Sequence, residues 1–426
     1  MLRMEKVEGT KLAVITLAAR DSLLIRAGNL FSGKEDFCQR NVLLLIAGGL
    51  IKKILPAAGG EEAAGIIKRM GLAGRTSFLD LANLTILPGM VDCHVHLALD
   101  GVDFQKAKGQ WVAPGKVAGR VGRRLAATLT RGVLAVRDGG DRAGIGLLGK
   151  AKVRSGNLPG PYLTATGSAL RKSGMYGSFL GAGVDGDLGG ALDRLVAAGV
   201  DQIKVLVSGI VSFTEYGRVG PPQFSPEELA FLVARAHRAG LKVMAHASSD
   251  LAVVSSARAG VDSIEHGYFM SRATLRMLAE LGISWVPTVV PVAGQAGRSD
   301  LFTREQLGVI EKTYRNQLET IAEAARLGVA VGVGTDAGSP GVRHGEGFLR
   351  ELALYRQAGL APAVILKAAT VAGAKIAGVE QEVGPLEEGR PANMIAVEGN
   401  PLADLAALEN VKYIILRGRD CGAGKL

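Results

Sequence analysis

The sequence predicts an α/β protein, a (β/α)8 TIM barrel with a small β-sandwich domain built from both termini. Three observations carry that prediction. From about residue 87 to residue 379, short runs rich in Val, Ile and Leu alternate with helical patterns. Those runs are continuously apolar rather than alternating, as strands buried on both faces of a parallel sheet must be. Outside that stretch, both ends of the 426-residue chain hold strand-like runs broken by glycine turns.

In chain order, the segments 23–32 (LLIRAGNLFS), 41–54 (NVLLLIAGGLIKKI) and 81–89 (LANLTILPG) read as strands of the terminal domain. The alternating region follows with 132–138 (GVLAVRD), 162–167 (YLTATG), 202–209 (QIKVLVSG), 241–247 (LKVMAHA), 262–266 (DSIEH), 283–290 (ISWVPTVV) and 329–336 (VAVGVGTD). Helix signals lie between them. Ser225 is a candidate N-cap, Pro226 suits the first helical position, and Glu228 completes a capping box. Leu229, Leu232, Val233 and Ala236 then form one apolar stripe, and Gly240 ends the helix. Repetition of such units indicates a closed barrel over 87–379. The strands at 392–400 (ANMIAVEGN) and 410–418 (NVKYIILRG) return to the first domain, which would comprise 1–86 and 380–426.

Composition narrows the function classes. With 48% hydrophobic and 21% charged residues, the chain has the make-up of a soluble globular protein, and no apolar run reaches the ~18 residues a membrane span needs. Residues 12–19 (LAVITLAA) are short for a signal-peptide core, and Glu5 and Glu8 dilute the basic flank, so the expectation is an ordered or frayed segment of a cytoplasmic protein. Three cysteines, Cys38, Cys93 and Cys421, make no disulfide framework. The net charge of +10 is concentrated in part at 106–124, where Trp111 is the one aromatic. This segment reads as a solvated loop entering a helix rather than a nucleic-acid grip. The expected partner is a small-molecule substrate, with no nucleic acid, no membrane, and a homo-oligomeric assembly.

His94 and His96 lie in LPGMVDCHVHL. Alternation across a strand puts Asp92, His94 and His96 on one face, toward the barrel interior, and leaves Cys93 facing the helices as a packing thiol. Asp92 would support a histidine from behind. Of the six histidines, His246 and His266 end two further strands, Asp336 closes VGVGTD, and Lys204 sits within QIKVLV. Each has an ordinary explanation alone; together, at successive strand ends, they suggest a metal centre. His237, mid-helix, reads as a surface residue.

The ordered set His94-x-His96, Lys204, His246, His266, Asp336 resembles the binuclear-metal subtype of the amidohydrolase superfamily. The phrases LLIRAGNLFSG, ILPGMVDCHVHL, GTDAG and GPLEEGRPANMIAVEGNPL resemble its imidazolonepropionase-like and prolidase-like branch. The resemblance implies two divalent metal ions, zinc first, with manganese, cobalt or iron as alternatives. His94, His96 and Asp336 would hold one ion and His246 and His266 the other. Lys204, carbamylated by CO2, would bridge them; carbamylation needs a neutral amine, which burial favours. A metal-bridging hydroxide would attack the substrate, with Asp336 as catalytic base and then acid.

The implied function is a metal-dependent amidohydrolase cleaving a C–N bond in a dipeptide-like, N-acyl amino acid or cyclic amide substrate. Hydrolysis of a lactone, phosphoester or carbamate on the same centre is a second reading, and a catalytically silent scaffold a third. A mononuclear deaminase would leave Lys204 without a task. Two departures touch substrate recognition. Dipeptidases of this branch carry a histidine where TGSALRKSGMYGSFLG has Arg171, Lys172 and Tyr176, and a tyrosine where Phe224 stands. His344, on the loop after strand eight, and Tyr268 are the substrate-binding candidates. Arg171 and Lys172 would either hold a substrate carboxylate or be loop charges.

Overall fold

The computed structural model describes residues 3–6, 12–17, 22–57, 63–69, 71–72, 76–111 and 114–417. The first strands are β1 (Arg3–Lys6), β2 (Ala13–Leu17), β3 (Ser22–Leu30), β4 (Gln39–Ala47), β5 (Leu50–Pro56) and β6 (Thr76–Pro88). A parallel series follows: β7 (Met90–Val95), β8 (Val133–Asp138), β9 (Tyr162–Ala165), β10 (Gln202–Leu206), β11 (Lys242–Ala247), β12 (Ser263–His266) and β13 (Ser284–Val286). Two more, β14 (Met394–Glu398) and β15 (Val411–Arg417), close the chain.

Both ends of the sequence build one mixed sheet in the order β1-β2-β15-β14-β6-β3-β4-β5. Its inward side chains, among them Ile15, Ile25, Leu44, Ile86 and Met394, share one buried cluster. Gly48 and Gly49, at φ +61° and +71°, make the two-residue turn of the β4–β5 hairpin, a conformation that costs residues with a Cβ. Most of the run weighed as a signal core is ordered: Ala13–Leu17 is β2, parallel to β15. Ala18, Ala19 and Cys421 lie outside the described residues.

The parallel strands form two sheets, β7-β8-β9 and β10-β11-β12-β13, under one apolar core. Leu170, past β9, bridges to Val205 of β10. At the other side the run expected as an eighth strand is extended but irregular, with Val331 paired to Trp285 of β13 and Ala337 to Val95 of β7. Gly332 and Gly334 let this run pack closely against its neighbours: a Cβ on Gly334 would come within 2.4 Å of Val286 Cγ1 and 2.9 Å of His94 Cβ. The run 283–290 is likewise shorter than its apolar length suggests. β13 stops at Val286, because Pro287 has no N–H to donate and Thr288 takes φ +52° before the helix Val290–Ala293.

The helix Pro226–Arg238 begins as expected, with Ser225 Oγ accepting from Glu228 N and the Glu228 side chain from Ser225 N. All four stripe residues are buried, and Gly240 follows at φ +73°. The basic segment enters a helix as expected, Pro114–Leu129, but its first part is helical as well rather than a loop: Phe104–Gly109 is capped by Asp103 and has Ala107 buried. Among the described residues, no helix is long and apolar enough to cross a membrane.

Candidate active site

The carboxyl ends of the parallel strands converge on a cavity of about 420 Å³, and all six candidate metal ligands line it. Register explains the convergence: Leu206 of β10 lies opposite His246 of β11, and Ala247 of β11 opposite His266 of β12. The imidazole centroids stand 5.2 Å apart for His94–His96, 5.2 Å for His94–His266 and 4.5 Å for His246–His266. Lys204 Nζ lies 3.5 Å from His94 Nε2. Asp336 Oδ1 is 3.2 Å from His96 Nε2 and 3.7 Å from His94 Nε2.

Burial, followed by the charge on Lys204, holds His94 well below the ordinary histidine range and His246 at about 4. Burial and the neighbouring imidazoles do the same to His266. Burial also lowers Lys204 to about 8, although Glu265 pulls the other way. For Asp336 burial acts upward but loses to the His96 hydrogen bond and the imidazole charges, which leave the carboxyl at about 2. For His96 burial acts downward but loses to the hydrogen bond and charge of Asp336, which raise it. The neutral imidazoles of His94, His246 and His266, an ionised carboxylate with His96 beside it, and an easily deprotonated amine form a donor set for a divalent cation.

The geometry fits such an ion. One donor atom each from His94, His96 and Asp336 falls within 4.8 Å of the others. The remaining nitrogens are anchored, His94 Nδ1 at 2.7 Å from Glu265 Oε2, His96 Nδ1 at 3.0 Å from the Gly140 carbonyl, and His266 Nδ1 at 2.7 Å from Thr288 Oγ1. Anchoring of this kind fixes tautomer and ring orientation for metal binding. His246 instead turns Nε2 to the Gly209 carbonyl, 3.2 Å away. Gly139 keeps the cradle open, since a Cβ there would sit 2.9 Å from His96 Cε1 and 3.1 Å from His94 Nε2.

The other sequence candidates divide. Tyr268 lines the cavity, its ring stacked on His266 at 5.8 Å. His344 is buried outside that lining, bonded at 3.0 Å to the Leu99 carbonyl and held near pKa 4 by burial, so its position after the eighth segment does not bring it to the cavity. Arg171 gives Nη1 and Nη2 to the carbonyls of Lys172 and Met175 while its buried Nε has no partner, Lys172 pairs with Glu228 over the Phe224 ring, and neither residue lines the cavity. Asp92 faces inward but holds backbone rather than an imidazole: it accepts from Thr335 N, Thr335 Oγ1 and His94 N, tying β7 to the segment bearing Asp336. Cys93 packs against Gly373 on the helix side, and His237 pairs with Asp262 at the surface.

Two contributors are not apparent from the sequence. Glu265 and Arg137 are fully buried and form an ion pair at 2.8 Å behind His94. Alternation from His266 would turn Glu265 away from the site, but His266 sits at φ +71°, which breaks the parity. Tyr176, whose ring lies 5.4 Å from that of His246, completes the polar lining.

Parallel strands that deliver imidazoles, a lysine and a carboxylate to one cavity define a hydrolase with a metal-capable centre. Residues 85–420 match the amidohydrolase family, and the chain belongs to it. It is a hydrolase acting on C–N bonds, in the imidazolonepropionase-like and prolidase-like branch of that superfamily. Ochratoxinase from Aspergillus niger is 28% identical over 360 residues, 77% of this chain and 73% of the relative. An imidazolonepropionase from Sphingopyxis alaskensis is 25% identical over 348 residues, 74% of this chain and 78% of its own. A crystal structure of a Xaa-Pro dipeptidase with methionine in its active site superposes with TM-score 0.77 at 26% identity, covering 93% of this chain and 98% of that one. The family generally binds divalent metals and has a TIM-barrel-type fold.

Proposed function

We propose that the chain hydrolyses an amide or peptide C–N bond in a dipeptide-like, N-acyl amino acid or cyclic amide substrate, using two divalent ions. The observation that carries this reading is the meeting of His94, His96, Lys204, His246, His266 and Asp336 in one cavity. His94, His96 and Asp336 would hold one ion, His246 and His266 the other, with carbamylated Lys204 between them. Zinc suits imidazole and carboxylate donors best. When bound, the ions supply Lewis acidity, polarising the substrate carbonyl and lowering the pKa of water to roughly 7.

The chain's own groups do the rest. Asp336, ionised far below neutral pH, accepts the proton of the attacking water and returns it to the leaving nitrogen. Lys204, with a pKa near 8, presents enough free amine to add to CO2. One proton leaves the ammonium to free the amine. The Nζ–C bond forms as a C=O π bond of CO2 opens, and a second proton leaves the nitrogen, so that a cation would become an anionic oxygen donor. Glu265, backed by Arg137, keeps the His94 proton on Nδ1 and its Nε2 lone pair on the cavity. We also read residues 87–379 as the closed (β/α)8 catalytic domain, and 1–86 with 380–426 as one β-sandwich domain. The bridges from Leu170 to Val205, Val331 to Trp285 and Ala337 to Val95 support closure.

A screen of dipeptides, N-acyl amino acids and lactones, with zinc and bicarbonate supplied, tests the reading. Release of amine from at least one amide class is the expected result. Inactivity on every amide at full metal occupancy, or turnover of lactones alone, would overturn it.

A further inference from the structure

The cavity walls specify more than a reaction type. Two edge-to-face aromatic pairs face the metal-capable centre, Phe104 with Phe179 at 5.0 Å and Phe213 with Phe302 at 5.7 Å. Each pair is seated on an apolar cluster separate from the main core. Leu180 and Leu206 back Phe179, while Val211 and Val292 back Phe213 and Phe302. Ile210 and Leu301 extend the apolar surface outward along the lining, 55% and 58% exposed. Isolated exposed side chains of this kind are ordinary, but two of them continuous with an aromatic-lined cavity form a binding surface.

Charge is distributed just as unevenly. Among the described residues, Lys204 is the sole Lys or Arg lining the cavity, and it stands among the histidines. The basic loop that would supply a second cation does not reach the lining: Arg171 is turned to the Lys172 and Met175 carbonyls and Lys172 to Glu228. Gln295, one of the few neutral polar groups in the lining, donates to the Pro340 and Pro291 carbonyls. Asp336 adds a negative charge of its own. Positive charge is thus confined to the metal-capable centre, where the scissile carbonyl itself would sit. Along the walls a carboxylate would lose hydration without gaining a guanidinium, an ammonium or a cluster of N–H donors, and burying such a charge uncompensated is strongly unfavourable.

We propose that this site selects neutral amides carrying aromatic or branched aliphatic groups, and disfavours substrates with a carboxylate next to the scissile bond. The inference rests on the C–N hydrolase reading above and narrows it, away from free dipeptides and N-acyl amino acids. Phe179 and Phe302 are its specificity-determining residues, one from each wall.

A matched pair of probes tests it on the full-length, zinc-loaded protein: N-(2-phenylethyl)benzamide and N-benzoyl-phenylalanine, which share the same amide and differ by one carboxylate. Equilibrium binding and amine release are read separately. The neutral amide is expected to bind at least ~10-fold tighter, and Phe179→Ala or Phe302→Ala to lose at least ~10-fold of that affinity. Leu301→Arg, on the exposed rim, should narrow the gap by raising affinity for the carboxylate probe. Equal or tighter binding of the carboxylate, binding of neither probe, or indifference to both Phe variants overturns the inference. Turnover without preference overturns it while leaving the hydrolase reading intact. Selective binding with no turnover of any amide overturns the hydrolase reading and leaves the selectivity standing.

Discussion

Replacing Glu265 by glutamine changes one oxygen to an amide nitrogen and almost no volume, yet three interactions depend on that carboxylate. Oε1 accepts from Arg137 Nη2 at 2.8 Å and from Ser263 Oγ at 2.6 Å, and Oε2 faces His94 Nδ1 at 2.7 Å. If the remaining oxygen stays with Arg137 and Ser263, the new NH2 points at His94 Nδ1. Two donors cannot share that contact, so the imidazole moves its proton to Nε2, the nitrogen that faces Asp336 and Lys204. Loss of such an outer partner lowers metal affinity by about 10–100-fold. Arg137, fully buried, also loses its counter-ion, which costs roughly 3–5 kcal/mol. Urea denaturation of the metal-free protein and zinc competition against a chelator measure the two effects independently. Ser263→Ala is the control, expected to cost about 1 kcal/mol and leave zinc affinity unchanged. If Glu265→Gln keeps zinc affinity within about twofold of wild type, the positioning role assigned to Glu265 is wrong.

Three further outcomes follow from the same geometry. Asp336→Asn should lower amide turnover by roughly 10²–10⁴-fold at matched metal content, and near-wild-type turnover would remove it as the proton carrier. Gly139→Ala places a methyl between two anchored rings, at 2.9 Å from His96 and 3.1 Å from His94, and should cost at least about tenfold in zinc affinity measured by chelator competition. His344 has its folded pKa depressed to about 4 from 6.5, so its contribution is present above pH 6.5 and is lost as pH falls through 4. His344→Gln should therefore lose about 3 kcal/mol less than wild type across that window, with turnover unchanged because the side chain lies outside the cavity lining.

The readable and unreadable parts of the sequence separate along physical lines. The capping box at Ser225 and the stripe from Leu229 to Ala236 are local patterns, and the helix appears as they dictate. Strand parity predicted the inward face of Asp92, His94 and His96 and the outward Cys93. The side chains keep that alternation although the pairing of β7 with β8 shifts register between Asp92 and Val95 and His96 follows just past the strand end. Alternation does not extend through His266 and Asp336, whose φ values of +71° and +53° turn the chain at the strand ends. Glu265 was hidden for that reason. Arg137 was hidden because a guanidinium in a buried strand is legible only once its partners on β10 and β12, Gln202, Ser263 and Glu265, are known. His344 shows the converse: chain position suggested the active face, but the loop folds it under Leu99. Phe104, Phe179, Phe213 and Phe302 come from four separate segments, and no periodicity links them.

The central claim, amide hydrolysis that depends on metal held by this donor set, is tested most directly by one titration. Amine release from the neutral amide is followed as zinc is returned to fully chelated protein in bicarbonate buffer. Activity should be lost on chelation and rise to saturation at roughly two equivalents per chain. Hydrolysis that persists at the wild-type rate with metal removed would contradict the account.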